Sequence, residues 1–256
     1  MKNVLVTGAS GLIGGILLKN NSINNLYGLD IVPSKYPNSE LSDISEPQKL
    51  EKLFSKNNIE VVVHLAGNPS VSGKWNSIKV NNIDGTSNVF EASKNSGVKK
   101  IIFASSNHAV GLYENDNPYD QIIAGDYNAI ENYELIKSDC EVRPDSLYGV
   151  SKAFGENLGR YFHENFGIKV ACLRIGSVVK NDSPVRGNSS RFFSTWCSHN
   201  DISGLIEACI ASDNLRFNIF YGVSDNKWKI WDISNQKKIL DFSPQSNAES
   251  FRNDQF

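Results

Sequence analysis

No stretch of the 256-residue sequence approaches the ~18 consecutive apolar residues of a membrane span, so no bilayer partner is expected. Cysteine is scarce. Cys140, Cys172, Cys197 and Cys209 lie far apart with no C-x-x-C pair, which argues against a zinc knuckle and a disulfide framework and suits a reducing compartment. There is no surplus of either charge: 26 Lys and Arg stand against 28 Asp and Glu, a formal net charge of −2, which gives no electrostatic basis for gripping nucleic acid. The histidines His64, His108, His163 and His199 show no metal-binding spacing, so no metal site is expected. The apolar run after Met1 is too short for a secretory leader and passes directly into a glycine-rich turn, so a cytoplasmic location is expected.

What is present is an alternation of short Val- and Ile-rich runs with longer amphipathic stretches, the pattern of βαβ units around a buried parallel sheet. It predicts strands at Asn3–Thr7, Leu26–Asp30, Val61–Ala66, Lys100–Ser105, Lys169–Ile175 and Phe217–Tyr221, with a weak one near Glu40–Ser42. Helices are predicted at Leu12–Asn20, Pro47–Lys56, Trp75–Ser96, Tyr148–Phe166 and Ser203–Ser212. The fold class is α/β, a doubly wound parallel sheet. Asn115–Pro144 and Val179–Arg191 lack a clean period and are read as long loops, the first of a length that is usually functional or disordered.

The first predicted strand runs into Thr7-Gly8-Ala9-Ser10-Gly11-Leu12-Ile13-Gly14, a G-x-x-G-x-x-G turn that opens a helix. Such glycines allow backbone to approach a pyrophosphate, which then meets the unpaired N–H groups of a helix N-terminus. Asp30 ends the second strand, where its carboxylate can accept the hydroxyls of an adenosine ribose and repel a 2′-phosphate; NAD is therefore expected rather than NADP. Asp43 and Ile44 are placed to meet an adenine ring. Leu65, Ala66 and Gly67 let backbone approach the cofactor after the fourth strand, and Ile175 ends the sixth. His64 is read as a hydrogen-bonded structural histidine.

Tyr148 and Lys152 stand at i and i+4 at the start of a long helix, on one face and one turn apart. A phenol titrates near pKa ~10 and needs help to act as a base at neutral pH. A neighbouring ammonium, together with the positive charge of a nicotinamide, would lower that value. The third member should be a hydroxyl at the end of the fifth strand, and Ser106 is preferred to Ser105 as the residue beyond the last buried position.

Together, Thr7–Gly14, Asp30, Ser106 and Tyr148/Lys152 resemble the extended, epimerase-like branch of the short-chain dehydrogenase/reductase superfamily, over nearly the whole chain. Within that branch, the segments 104–108, 143–152, 173–177 and 194–199 resemble the uronate dehydrogenases. The resemblance implies a single Rossmann domain over residues 1–256, with substrate-binding portions at about 112–147 and 177–256. It also implies NAD-dependent oxidation of a pyranose uronic acid at C1 to a lactone. By position, Ser70, Ser106, Asn107 and His108 would hold sugar hydroxyls, Ser177 would line the pocket, and Arg191 would pair with the C6 carboxylate. Asn82 matches the branch's helix asparagine that supports the lysine. A homodimer through helices 75–96 and 148–166 is a further expectation of the resemblance.

One departure is the length of Leu112–Leu147 and its acids Glu114, Asp116, Asp120, Asp126, Glu131 and Glu134, which could exclude a carboxylate and suit a neutral or phosphorylated aldose. A sugar-phosphate dehydrogenase is therefore one alternative. A nucleotide-sugar epimerase or dehydratase is another, disfavoured by the short C-terminal region. A non-catalytic NAD-binding regulator is disfavoured by the retention of Tyr148 and Lys152.

Overall fold

The computed structural model describes residues 1–20, 24–128, 130–187 and 189–255. Its strands are β1 (Asn3–Thr7), β2 (Asn25–Asp30), β3 (Ser39–Leu41), β4 (Val61–His64), β5 (Lys100–Ser106), β6 (Lys169–Ile175) and β7 (Phe217–Gly222). All pair in parallel, in the order β3-β2-β1-β4-β5-β6-β7, which is a Rossmann-type sheet.

Both faces of this sheet are covered, which is why β4 reads as an unbroken apolar run ending in a buried histidine. On one face lie α1 (Leu12–Asn20) and α8 (His199–Ala211), packing Leu17, Ile202, Leu205 and Ile206 against Val4, Val63 and Leu173. On the other lie α2 (Pro47–Lys56), α4 (Gly85–Asn95) and α6 (Leu147–Phe166), whose Phe54, Phe90 and Phe162 meet Leu5, Val62 and Ile101. Burying each such side chain stabilises the fold by about 1.5–3 kcal/mol. The strand order reverses between β1 and β4, which opens a crevice at the carboxyl ends of the strands.

Three expectations from the sequence need correction. The predicted helix Trp75–Ser96 is α3 (Trp75–Ile78), a π-helical turn (Lys79–Asp84) and α4, because the wider turn carries buried Asn82 to face the α6 side. Helix α8 begins four residues before the predicted Ser203. Ser198 caps it by accepting from Asp201 N–H, and Asp201 is buried beneath Ser224 and the 245–246 backbone, so its polar first turn hides the start.

The segment read as a long loop, Asn115–Pro144, contains α5 (Tyr119–Ala124) and is anchored. Ile122 and Ile136 join a cluster with Tyr221, Ile230 and Trp231, and Ile136 exchanges backbone bonds with Ile230 and Asp232. Its apolar residues lack a local period because their partners lie some hundred positions away along the chain, at 221–231. Beyond the predicted elements come α7 (Arg191–Thr195), α9 (Ser234–Leu240) and 3₁₀ helices at Asn107–Asn115 and Ala248–Gln255. No helix among the described residues is long and apolar enough to cross a membrane.

Candidate active site

A cleft of about 570 Å³ occupies the crevice, walled by Gly8, Gly11, Leu12, Ile13 and Gly14 at one end and by Asn107, His108 and Ser177 at the other. At the first end the β1–α1 turn is locked by close approach. Gly8 has φ +72°, and a Cβ on Gly14 would lie 2.3 Å from Gly8 O. Only glycine there keeps the start of α1 tight against the turn, with its N-terminal amides open to a diphosphate. Asp30 lines the same end. One of its oxygens accepts from Ser10 N–H (2.9 Å) and the other from Val32 N–H (3.1 Å), leaving lone pairs on both for ribose hydroxyls. Asp43 and Ile44 form the far wall, and Leu65, Ala66, Gly67 and Ile175 the floor. The set fits a dinucleotide. Ser10 does not reach the cleft wall; its role is the amide on Asp30.

His64 is a structural residue, as the sequence suggested. It lies between the hydroxyls of Thr7 (2.8 Å) and Thr86 (3.2 Å), and burial, with the charge of Lys152, lowers its pKa to about 3. Thr7 in turn accepts from Ala66 N–H, so this neutral imidazole steadies the backbone that faces the cofactor.

Helix α6 sets the second group. Ser146 caps it by accepting from Gly149 N–H, and Gly149 packs so closely on the carbonyl of His108 that a Cβ would lie 2.2 Å from that oxygen. This contact brings Tyr148 to the end of β5, where it lines the cleft with Ser106. Lys152 is fully buried and donates to Ala104 O at 2.7 Å, with its nitrogen 5.4 Å from the centre of the Tyr148 ring. Ser105, the rejected neighbour, turns instead to Glu156 within the buried Glu156–Arg174 pair.

Burial pushes Tyr148 up, the Ser106 hydroxyl opposes this only partly, and burial also pulls Lys152 down to about 8.

Asn82 lies behind the cleft wall. Its side chain accepts from Asn68 N–H, donates to Asn68 O and donates to Ser151, whose hydroxyl bonds Tyr148 O. It therefore ties the 68–71 wall to the Tyr148 turn.

At the other end of the cleft, Ser106 accepts from His108 N–H and donates to Asn107. His108 bonds Asp145 at 2.7 Å, and Ser177 bonds Thr195 at 2.8 Å. Ser70 is exposed at the rim, outside the cleft wall, where Asn68, Pro69 and Val71 stand instead. Arg191 is also off the wall and is engaged twice by Glu114. Sequence reasoning did not single out Asn68, Asp145, Arg186 or Phe192. The only signal for Asp145 was its place three residues before the Tyr148 turn.

Residues 4–200 match the model of the NAD dependent epimerase/dehydratase family. The chain belongs to this family. Among its relatives, the NAD-dependent glucose-6-phosphate dehydrogenase of Haloferax volcanii is 35% identical, over 97% of this chain and 95% of its own length. The uronate dehydrogenase of Agrobacterium fabrum is 34% identical, over 98% and 88%. A solved structure of a variant Agrobacterium tumefaciens uronate dehydrogenase with NAD superposes with a TM-score of 0.79 at 33% identity, covering all of this chain and 89% of that one. This member of the epimerase/dehydratase family is an NAD-dependent oxidoreductase acting on sugars, and its glycine cradle and Asp30 fit that cofactor.

Proposed function

We propose that the protein oxidises the anomeric carbon of a pyranose and releases a lactone. The observation that carries this reading is that Ser106, Tyr148 and buried Lys152 line the same cleft as the Gly8–Gly14 turn and Asp30. Bound NAD supplies the hydride acceptor and a positive charge beside the phenol. Tyr148 takes the proton of the anomeric hydroxyl, and Ser106 hydrogen-bonds the same oxygen as it becomes a carbonyl. Lys152 adds the second positive charge that brings the buried phenol toward ionisation and can hold a ribose hydroxyl. Asn107, His108 and Ser177 orient the ring, so that positioning and proton transfer share the work.

Two readings of the sugar's far end have support. A uronate is favoured by the relatives that carry that name and by the sequence position of Arg191. A phosphorylated aldose is favoured by the Haloferax relative and by the acids of the 112–147 segment.

Absorbance of reduced cofactor, followed with NAD and a panel of uronates, aldoses, aldose phosphates and nucleotide sugars, tests the reaction type. Net NADH from a free or phosphorylated sugar is expected. Product without net NADH would indicate an epimerase, and binding without turnover a regulator. Exposed Trp75, Val150, Tyr161 and Phe166 support a homodimer through the 75–96 and α6 helices, which light scattering checks.

A further inference from the structure

The charges at the sugar end are already matched among themselves. Arg191 donates Nε–H and Nη2–H to the two oxygens of Glu114 at 2.6 and 2.7 Å, a bidentate pair whose side chains are only 26% and 11% exposed. Glu114 also accepts from Asn107 Nδ2 and lies on the 3₁₀ helix that continues directly from Ser106, so it is positioned by the same segment as the reacting group. A second carboxylate, Asp145, feels the same guanidinium. Burial pushes Asp145 up, but the bonds from His108 and Ser146 and the charge of Arg191 outweigh it and leave the carboxyl below its ordinary value.

The guanidinium of Arg191 is thus already held by a carboxylate of the protein, and the carboxylate of a hexuronate would be a second. To use the fork of Arg191 it would have to displace Glu114, leaving that nearly buried carboxylate without its cation and beside a like charge. Arg186 differs. It stands on the cleft wall, exposed, with its guanidinium 5.1 Å from the ring of Phe192, and among the described residues it makes no ion pair. A phosphate ester reaches further than a carboxylate on the same carbon and carries more charge, so it suits an exposed cation of the cleft wall that no described carboxylate occupies.

We propose that Glu114 is the specificity-determining residue: by occupying Arg191 it turns the site away from hexuronates and toward pyranose 6-phosphates, whose dianion Arg186 receives. The proposal rests on the C1-oxidation reading above. It is tested on the whole protein with NAD and three probes, glucose 6-phosphate, glucuronate and glucose.

The expected order of kcat/KM places glucose 6-phosphate first. Glu114→Gln frees Arg191 and raises the glucuronate-to-phosphate ratio of kcat/KM by roughly tenfold or more, chiefly through KM for glucuronate. Arg186→Ala raises KM for glucose 6-phosphate by roughly tenfold relative to KM for glucose. A wild-type protein that favours glucuronate or glucose overturns the proposal, as does a Glu114→Gln protein that slows all three sugars alike. Should Glu114→Gln not fold, the Arg186→Ala ratio decides, because that side chain is exposed. Absence of NADH from all three sugars in a protein that binds NAD overturns the dehydrogenase reading itself, an outcome distinct from turnover with an unmoved ratio.

Discussion

The two ends of the cleft are built on different principles. The cofactor end is made of backbone from consecutive βα units: the Gly8–Gly14 turn, the end of β2 and the Ala66–Gly67 bend, with one carboxylate pinned by two amides. The sugar end is made of charged and polar side chains that satisfy one another across long separations, as Arg191 and Glu114 do over 77 residues. Backbone geometry tolerates little change and commits its end to one ligand class. Paired side chains can be re-paired, so the specificity of the other end turns on which partner each charge has chosen.

The sharpest way to separate the ends is through the residue between them. Tyr148→Phe is expected to lower kcat by about 10²–10⁴-fold while NAD affinity changes little. Titration calorimetry checks the second half, and a collapse of affinity would make the phenol a structural part of the cofactor end. Gly14→Ala strikes the backbone principle directly. Its Cβ would meet Gly8 O at 2.3 Å, so an overpacking cost of about 1–3 kcal/mol is expected, seen as a lower Tm and weaker NAD binding. Normal binding in that variant would remove the glycine cradle from the account.

A smaller effect is expected for Asp30→Ser, which should shift the NADP-to-NAD ratio of kcat/KM by about tenfold toward NADP. An unmoved ratio would mean that Asp30 serves only the amides of Ser10 and Val32.

The least visible test concerns Lys152, whose pKa falls from 10.5 to about 8 through burial. Between those values the unfolded chain holds a proton that the folded one lacks. The burial penalty is therefore complete below pH 8 and is relieved as the pH climbs toward 10.5. Lys152→Met should raise the Tm of the cofactor-free protein at pH 7, and the gain should shrink across that window. A gain independent of pH would point to packing instead.

How far the sequence could be read follows the same division. The strands, the glycine turn, Asp30 and the Ser106–Tyr148–Lys152 set rest on local patterns, a strand running into a helix or an i, i+4 pair, and in the structure the site residues among them line one cleft. Four candidates stand off the cleft wall for reasons no local pattern carries. Ser10 is turned to Asp30, Asn82 to Asn68 and Ser151, Ser70 to the rim, and Arg191 to Glu114. The 115–144 segment looked irregular because the apolar surface that orders it belongs to residues 221–231. The i, i+4 spacing reveals the proximity of Tyr148 and Lys152, whereas the depth of burial that opposes ionisation of the phenol is a property of the assembled molecule.

The bonds of Asn82 carry a mechanical consequence. Because one amide grips both directions of the Asn68 peptide chain and, through Ser151, the turn bearing Tyr148, those two flanks travel as a single rigid jaw.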